Sequence, residues 1–332
     1  MRAIVYDGFG VPPRLDDVPA PDCPPDGAVV DVAATGICRS DWHAWHGSDP
    51  VSLPHIPGHE FAGVVAQVGA SVRNFAVGDR VTVPFVNGCG HCEWCRTGQA
   101  QVCPDQTQPG FTHPGSYAEK VQVRVADLNL VRLPTSIDFI SAAALGCRFA
   151  TAFRAVTAHG RVAAGDRVAV FGCGGVGLSA IMVAVALGAS VFAVDPSPAA
   201  RSRAADLGAQ PVDTAEDMHV SIDALGSAAT ASASVRALRR RGRHVQVGLM
   251  LDAAARTAPP WDLVIGRELE IYGSHGMAAA DYPAMLAMVA DGRLNPRLLV
   301  GDVIPLADAG RALTAMDEPI PAAAGITVAV TR

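Results

Sequence analysis

The stretch RVAVFGCGGVGLSAIMVAVALGASVFAVD, residues 167–195, leaves its chain little freedom in how to fold. A short apolar run meets a turn carrying Gly172, Gly174 and Gly177 in the pattern G-x-G-x-x-G, with Gly175 and Val176 inside it. An apolar segment of helical length follows, then a second apolar run that ends at Asp195. The glycine pattern alone is weak, but in this order it predicts strand, tight turn, helix and parallel strand. Glycine permits the turn and lets a pyrophosphate approach backbone N–H groups at a helix N-terminus, where partial positive charge is available without a basic side chain. A carboxylate at Asp195 accepts hydrogen bonds from both hydroxyls of an adenosine ribose and repels a 2′-phosphate, which favours NAD over NADP. Arg201 and Arg203, the nearby groups that could meet such a phosphate, read as a solvated helix face.

A second constraint is local. Cys89, Cys92, Cys95 and Cys103 crowd into GCGHCEWCRTGQAQVC. Two-residue gaps bring successive thiolates onto one tetrahedral zinc, at about 2.3 Å per Zn–S bond, and the longer gap is a small loop returning the last ligand. Four protein ligands leave no open position, so this lobe reads as structural. Cys23 and Cys173 have no ligand-like neighbour in sequence and read as a loop residue and a small apolar residue.

The texture of the chain changes near Phe149. Before it, short alternating segments such as GAVVDVAATGI, FAGVVAQVGASV and GDRVTVPFV predict a β-rich part with many turns. After it, Ala-rich helical stretches alternate with RVAVF, SVFAVD, SIDAL, HVQVGL and EIYGS, the pattern of βαβ units around a parallel sheet. From Tyr282 a helical piece leads to VGDVIPLADAGRALTAM and a final strand near GITVAV, which can return to the first part. The expected division is residues 1–150 with 285–332, and residues 151–284. At 332 residues two domains are the natural prior. No apolar run approaches the roughly 20 residues that span a bilayer. A net charge of -6 without a basic run argues against a nucleic-acid partner. The N-terminal MRAIVYDGFG lacks the apolar block of a secretory signal, and clustered thiols suit a reducing compartment, so the expected location is the cytoplasm.

Three further segments carry possible ligands: GICRSDWH around Cys38, PGHEFAG around His59 and Glu60, and LGCRFAT around Cys147. No local spacing links them, and a lone buried cysteine is usually an inert small hydrophobe. Taken together with the four-cysteine lobe and the glycine-rich turn, in this order, they resemble the zinc-dependent alcohol dehydrogenases of the medium-chain dehydrogenase/reductase superfamily over essentially the whole chain. The resemblance implies a β-rich domain like chaperonin-10 (GroES-like) plus a doubly wound Rossmann domain, with the active site in the cleft between them. It implies a catalytic zinc on Cys38, His59 and Cys147, with Glu60 behind the metal as an exchangeable ligand and Asp41 orienting His59. Two thiolates and an imidazole leave a fourth position for an alcohol oxygen, as a Lewis-acid site requires.

By the same resemblance Ser40 hydrogen-bonds the reacting oxygen and His43 passes the proton to solvent. Arg39 contacts the pyrophosphate, Thr151 lies near the nicotinamide, and Phe85 lines the substrate pocket. Trp42 and Trp45 either line that pocket or pack against the sheet. His46, His55 and His113 receive no role. Ile326 after Gly325 departs from the basic residue many relatives carry there, which removes one cofactor phosphate contact. The implied activity is reversible NAD(H)-dependent oxidation of primary or secondary alcohols to aldehydes or ketones by hydride transfer from a zinc-bound alkoxide, with two zinc ions per chain. The chain is then a homo-oligomer, a dimer or tetramer. Three rival readings stand beside it: a polyol or sorbitol-type dehydrogenase, a zinc-free reductase of the same superfamily, and a catalytically silent NAD-binding relative.

Overall fold

The computed structural model describes residues 1–251, 256–318 and 325–331. They form two compact units, one of Met1–Cys147 with the described residues from Gly276 onward, the other of Arg148–His275.

The first unit is organised by the strand Ala28–Gly36. Along one side it pairs antiparallel with Glu60–Val68, and on the other it pairs with Lys120–Val123 at its start and Ile326–Val330 at its end. Val300–Pro305 adds in parallel to Ile326–Val330, while Arg80–Thr82 and Val131–Arg132 extend the opposite edge. A separate ribbon pairs Arg2–Val5 with Arg14–Asp17. Val30, Val32, Phe61, Val65, Val81, Val83, Val121 and Val123 form the core over this sheet, and each such side chain, once buried, contributes about 1.5–3 kcal/mol. The segment GDRVTVPFV yields only the short strand Arg80–Thr82. Pro84, two residues on, has no N–H to continue the ladder.

The second unit carries one parallel sheet. Its strands, in spatial order, are Gln210–Pro211, Ser190–Val194, Arg167–Phe171, Met218–Asp223, Leu238–Gln246 and Glu270–Gly273. In chain order this is 3-2-1-4-5-6, the doubly wound arrangement with a switch point between Arg167–Phe171 and Met218–Asp223. The helix Gly175–Ala186 starts straight after the first strand and is buried from Gly177 to Ala184, which matches its apolar character on every face. The strand read as HVQVGL starts earlier than its apolar run, at Leu238, and takes in an arginine-rich segment. Arg240 and Arg241 there are exposed and anchored at their tips, by the Gly266 carbonyl and the Glu268 carboxylate.

Candidate active site and metal centres

The C-R-S-D segment folds as a helix start. Cys38 is the extended N-cap of the helix Arg39–Trp45, and the Asp41 carboxylate in its first turn reaches back to the Cys38 N–H at 3.3 Å. This local geometry turns Asp41 inward, where it is fully buried. Its Oδ1 accepts from the Gly58 N–H at 3.0 Å and from His59 Nδ1 at 2.9 Å, and its Oδ2 also accepts from the Tyr117 hydroxyl at 3.0 Å. With Nδ1 committed to Asp41, His59 presents Nε2, which is buried and has no hydrogen-bond partner.

Two glycines allow the close approach. Gly58 has φ +106°, and a Cβ there would sit 2.4 Å from the Tyr117 ring. At Gly146 a Cβ would meet Glu60 Cβ at 2.7 Å, so only glycine lets the next residue, Cys147, come up beside Glu60. As a result the ligand atoms of Cys38, His59, Glu60 and Cys147 all lie within 4.8 Å of one another, although no sequence spacing connects them. Burial opposes charge on the His59 ring, but the Asp41 carboxylate and the Cys38 sulfur outweigh it and hold the imidazole well above its ordinary value. Two sulfurs, a carboxylate and an orphaned imidazole nitrogen form a pocket that calls for a cation, and the donor set suits zinc.

Two aromatic rings flank His59. The Phe85 ring stands edge-on at 6.2 Å and the Phe111 ring at 5.2 Å. Ser40 Oγ lies 3.8 Å from Cys38 Sγ. His43 sits one turn after Ser40, half-buried and edge-on to Trp42, and burial lowers its pKa below the usual 6.5, partly opposed by Asp49. Arg39 stacks over Trp42 at 4.7 Å and donates to the Met316 carbonyl at 2.8 Å. Trp42 Nε1 and His46 Nε2 share Asp317 Oδ1, each at 2.7 Å. Trp45 belongs to the core with Ile4, Tyr6 and Leu313. His55 and His113 are tied to backbone carbonyls, of Gly110 and Gln122.

The four-cysteine lobe closes on itself. Cys92 caps the short helix Glu93–Arg96, and a 3-10 turn at Ala100–Val102 returns Cys103. The Cys92 and Cys103 sulfurs are 3.7 Å apart, and all four sulfurs lie within 4.8 Å. A tetrahedron with 2.3 Å bonds has an edge of about 3.8 Å, whereas a disulfide is about 2.05 Å long. The backbone N–H of His91 holds the Cys89 thiol down to about 6, while burial pushes Cys95 up to about 12. Four thiolates therefore need a cation to be stable together here.

In the second unit, the turn residue Gly172 has φ +88°, and a Cβ on Gly177 would lie 1.8 Å from the Gly172 carbonyl oxygen, so helix and strand pack at backbone contact. Beside Gly174, the N-cap of the helix, a Cβ would meet nothing within 4 Å, leaving room for a phosphate against the amides. Gly175 is covered by the Arg148 side chain, whose Cδ would be 2.6 Å from an added Cβ. Asp195 accepts from the Cys173 N–H at 2.7 Å and the Ser197 N–H at 2.8 Å, which fixes its carboxylate next to the turn. Arg201 is engaged elsewhere, with the Val212 carbonyl and Asp213. Thr151 is buried in the helix Cys147–Arg154. Tyr117 and Phe111 are the two residues of these sites that the sequence did not reveal.

A doubly wound sheet with a glycine-rich turn, joined in one chain to a β-rich unit bearing two cysteine-containing metal-type clusters, defines an oxidoreductase of the two-domain dehydrogenase class. Comparison with known proteins narrows this. Residues 24–135 match the family model for the alcohol dehydrogenase GroES-like domain, and residues 175–291 match that for zinc-binding dehydrogenases. An alcohol dehydrogenase of Geobacillus stearothermophilus is 33% identical over 311 residues, 89% of this chain and 90% of the relative. A 2-dehydro-3-deoxy-L-galactonate 5-dehydrogenase of Pseudoalteromonas atlantica is 30% identical over 331 residues, 94% of this chain and 92% of the relative. The structure of an alcohol dehydrogenase from Thermus sp. ATN1 superposes with a TM-score of 0.91 at 33% identity over the whole of both chains. A cobalt- and zinc-bound alcohol dehydrogenase from Pyrobaculum aerophilum does so with 0.86 at 29% identity, over 99% of each. The chain belongs to the zinc-type alcohol dehydrogenase family of the medium-chain dehydrogenases/reductases.

Proposed function

We propose that this protein is a zinc-dependent NAD(H) alcohol dehydrogenase that interconverts primary or secondary alcohols with aldehydes or ketones. The observation that carries the reading is the convergence of Cys38, His59 and Cys147 from three distant segments, with His59 Nε2 buried and unpartnered among them. These three residues would hold the catalytic zinc, with Glu60 as an alternate ligand and Asp41 fixing the His59 tautomer. Bound there, zinc supplies Lewis acidity, which lowers the pKa of an alcohol hydroxyl and polarises a carbonyl. Cys89, Cys92, Cys95 and Cys103 would hold a second, structural zinc.

The chain's own residues then handle the proton and the cofactor. Ser40 Oγ, beside the Cys38 sulfur, accepts a hydrogen bond from the substrate hydroxyl. His43 lies at i+3 from it on the same helix face and takes up the proton, for which its lowered pKa keeps the ring neutral. Gly172, Gly174, Gly175, Val176 and Gly177 cradle the pyrophosphate at the helix N-terminus, and Arg39 and Thr151 add contacts to the cofactor. Asp195 selects the unphosphorylated ribose. Arg201, already engaged by Val212 and Asp213, is poorly placed to favour a 2′-phosphate. Phe85 and Trp42 line the substrate pocket, and the Phe85 and Phe111 rings beside His59 favour a simple, largely apolar alcohol. The sugar-acid dehydrogenase relative supports a second reading, in which the substrate is a polyhydroxylated acid or polyol.

Trp261 and Ile265, 55% and 77% exposed, favour a homo-oligomer, a dimer or tetramer. Among the described residues no helix is long and apolar enough to cross a membrane. None of the eight cysteines is in a disulfide, which favours a reducing cytoplasm. The test joins metal analysis to turnover. The purified protein should hold two zinc ions per chain and reduce NAD with short alcohols, and Cys38→Ser should abolish turnover while still binding NADH. Full turnover by Cys38→Ser, or by zinc-free protein, would reject the reading.

A further inference from the structure

The Asp41 carboxylate is fully buried and gathers four donors: the N–H groups of Cys38 and Gly58, His59 Nδ1, and the Tyr117 hydroxyl. The two contacts on Oδ2 are unequal, because the Cys38 N–H stands off at 3.3 Å while the Tyr117 oxygen is at 3.0 Å. A phenol has one proton to give, and its other nearby acceptor, the Gly36 carbonyl, is at 3.5 Å. The charged, closer oxygen wins, since hydrogen bonds to ionised groups are roughly twice as strong as neutral ones.

Tyr117 is itself held rigidly. Its backbone N–H donates to the Pro57 carbonyl at 2.9 Å, its own carbonyl accepts from the Ile4 N–H at 2.7 Å, and its ring fills the space where Gly58 lacks a side chain. The same residue therefore braces the Pro57–Gly58 backbone and pins the far oxygen of Asp41.

We infer that Tyr117 is a positioning residue of the metal site: its hydroxyl fixes the plane of the Asp41 carboxylate, so that Oδ1 stays on His59 Nδ1 and the imidazole presents Nε2 to the ion. This rests on the zinc reading of Cys38, His59 and Cys147. Groups that orient a metal-ligating histidine alter metal affinity by about 10–100-fold when removed. Tyr117 acts one step further out, so the lower end of that range is expected.

The test compares Tyr117→Phe with Tyr6→Phe. Tyr6 is equally buried, but its hydroxyl has no hydrogen-bond partner, so its removal controls for the loss of a buried phenol oxygen. Zinc release from each purified protein to a colorimetric chelator is followed in time. In Tyr117→Phe one of the two zinc equivalents should leave about tenfold faster than in the parent protein, with the other unchanged. Cobalt(II) exchanged into the faster site should show a shifted visible band in Tyr117→Phe, while Tyr6→Phe matches the parent protein in both readouts. Equal release rates for Tyr117→Phe and the parent, or acceleration of both equivalents together, would overturn the inference. A parent protein whose zinc content is unchanged by Cys38→Ser would instead overturn the zinc reading of Cys38, His59 and Cys147, and this inference with it.

Discussion

Replacing Asp41 by asparagine preserves shape and removes only charge and one acceptor, and the structure predicts that this near-isosteric change is severe. An amide offers one acceptor oxygen and one donor nitrogen, whereas all four groups around Asp41 donate to it. If the amide oxygen takes the Oδ1 position, Gly58 and His59 keep their acceptor. The NH2 then faces the Cys38 N–H and the Tyr117 hydroxyl. The phenol can rotate to accept, or turn to the Gly36 carbonyl, but the Cys38 N–H cannot, and it is left buried without a partner. If the amide is flipped, His59 must move its proton to Nε2, the atom needed for the metal. The first arrangement weakens two charge-assisted bonds by about 1 kcal/mol each and orphans one donor at about 1–3 kcal/mol. Relief of the buried charge offsets part of this, leaving a net loss of about 2–4 kcal/mol, a large share of a typical 5–15 kcal/mol total. Urea unfolding of Asp41→Asn and parent protein, with zinc content measured on the same samples, reads both consequences. A loss below about 0.5 kcal/mol with full retention of both zinc ions would refute the hydrogen-bond accounting.

Two further outcomes are expected. Cys92→Ser should lower the thermal midpoint and the zinc content by one equivalent per chain, because structural metal binding contributes folding free energy; an unchanged midpoint would remove the lobe from the stability of the fold. The acid limb of kcat should fall below pH 6.5, since burial lowers the His43 pKa and the neutral ring that accepts the proton persists to lower pH; His43→Gln should slow turnover and remove that limb, and a mutant profile identical to the parent would exclude His43 from proton transfer.

What could be read from the chain was what neighbouring residues determine together. The glycine-rich turn is legible because a strand, a tight turn and a helix of the right length lie side by side, and alternating strands and helices announce a parallel sheet, whereas its 3-2-1-4-5-6 order comes from the structure. The four-cysteine lobe is legible for the same reason, as its spacing alone brings the sulfurs within bonding range of one ion. Cys38, His59 and Cys147 are not, since spacing says nothing across such separations and only the family resemblance linked them. Tyr117 lies 76 residues from Asp41, in a GSYAEK segment with no chemical signature, and Phe111 reads like any loop aromatic. Leu238–Gln246 starts before its apolar run because Leu238 itself pairs with Met218; the register then breaks across Arg239–Gly242, where Arg241 has φ +60°, and resumes at Arg243. The helix at Arg39–Trp45 is short and amphipathic over barely two turns, too brief for periodicity to announce it.

The position of Ile326–Val330 has a consequence for biogenesis. That strand sits between Val300–Pro305 and Ala28–Gly36, so the unit holding Cys38, His59 and the four-cysteine lobe finishes its sheet only after Arg148–His275 has been synthesised. Arg148–His275 is contiguous and can mature on the ribosome while its companion still waits for a distant edge. Until that later strand docks, the end of Ala28–Gly36 nearest Cys38 is an open edge that invites mispairing, and the clustered thiols stand on a half-built scaffold.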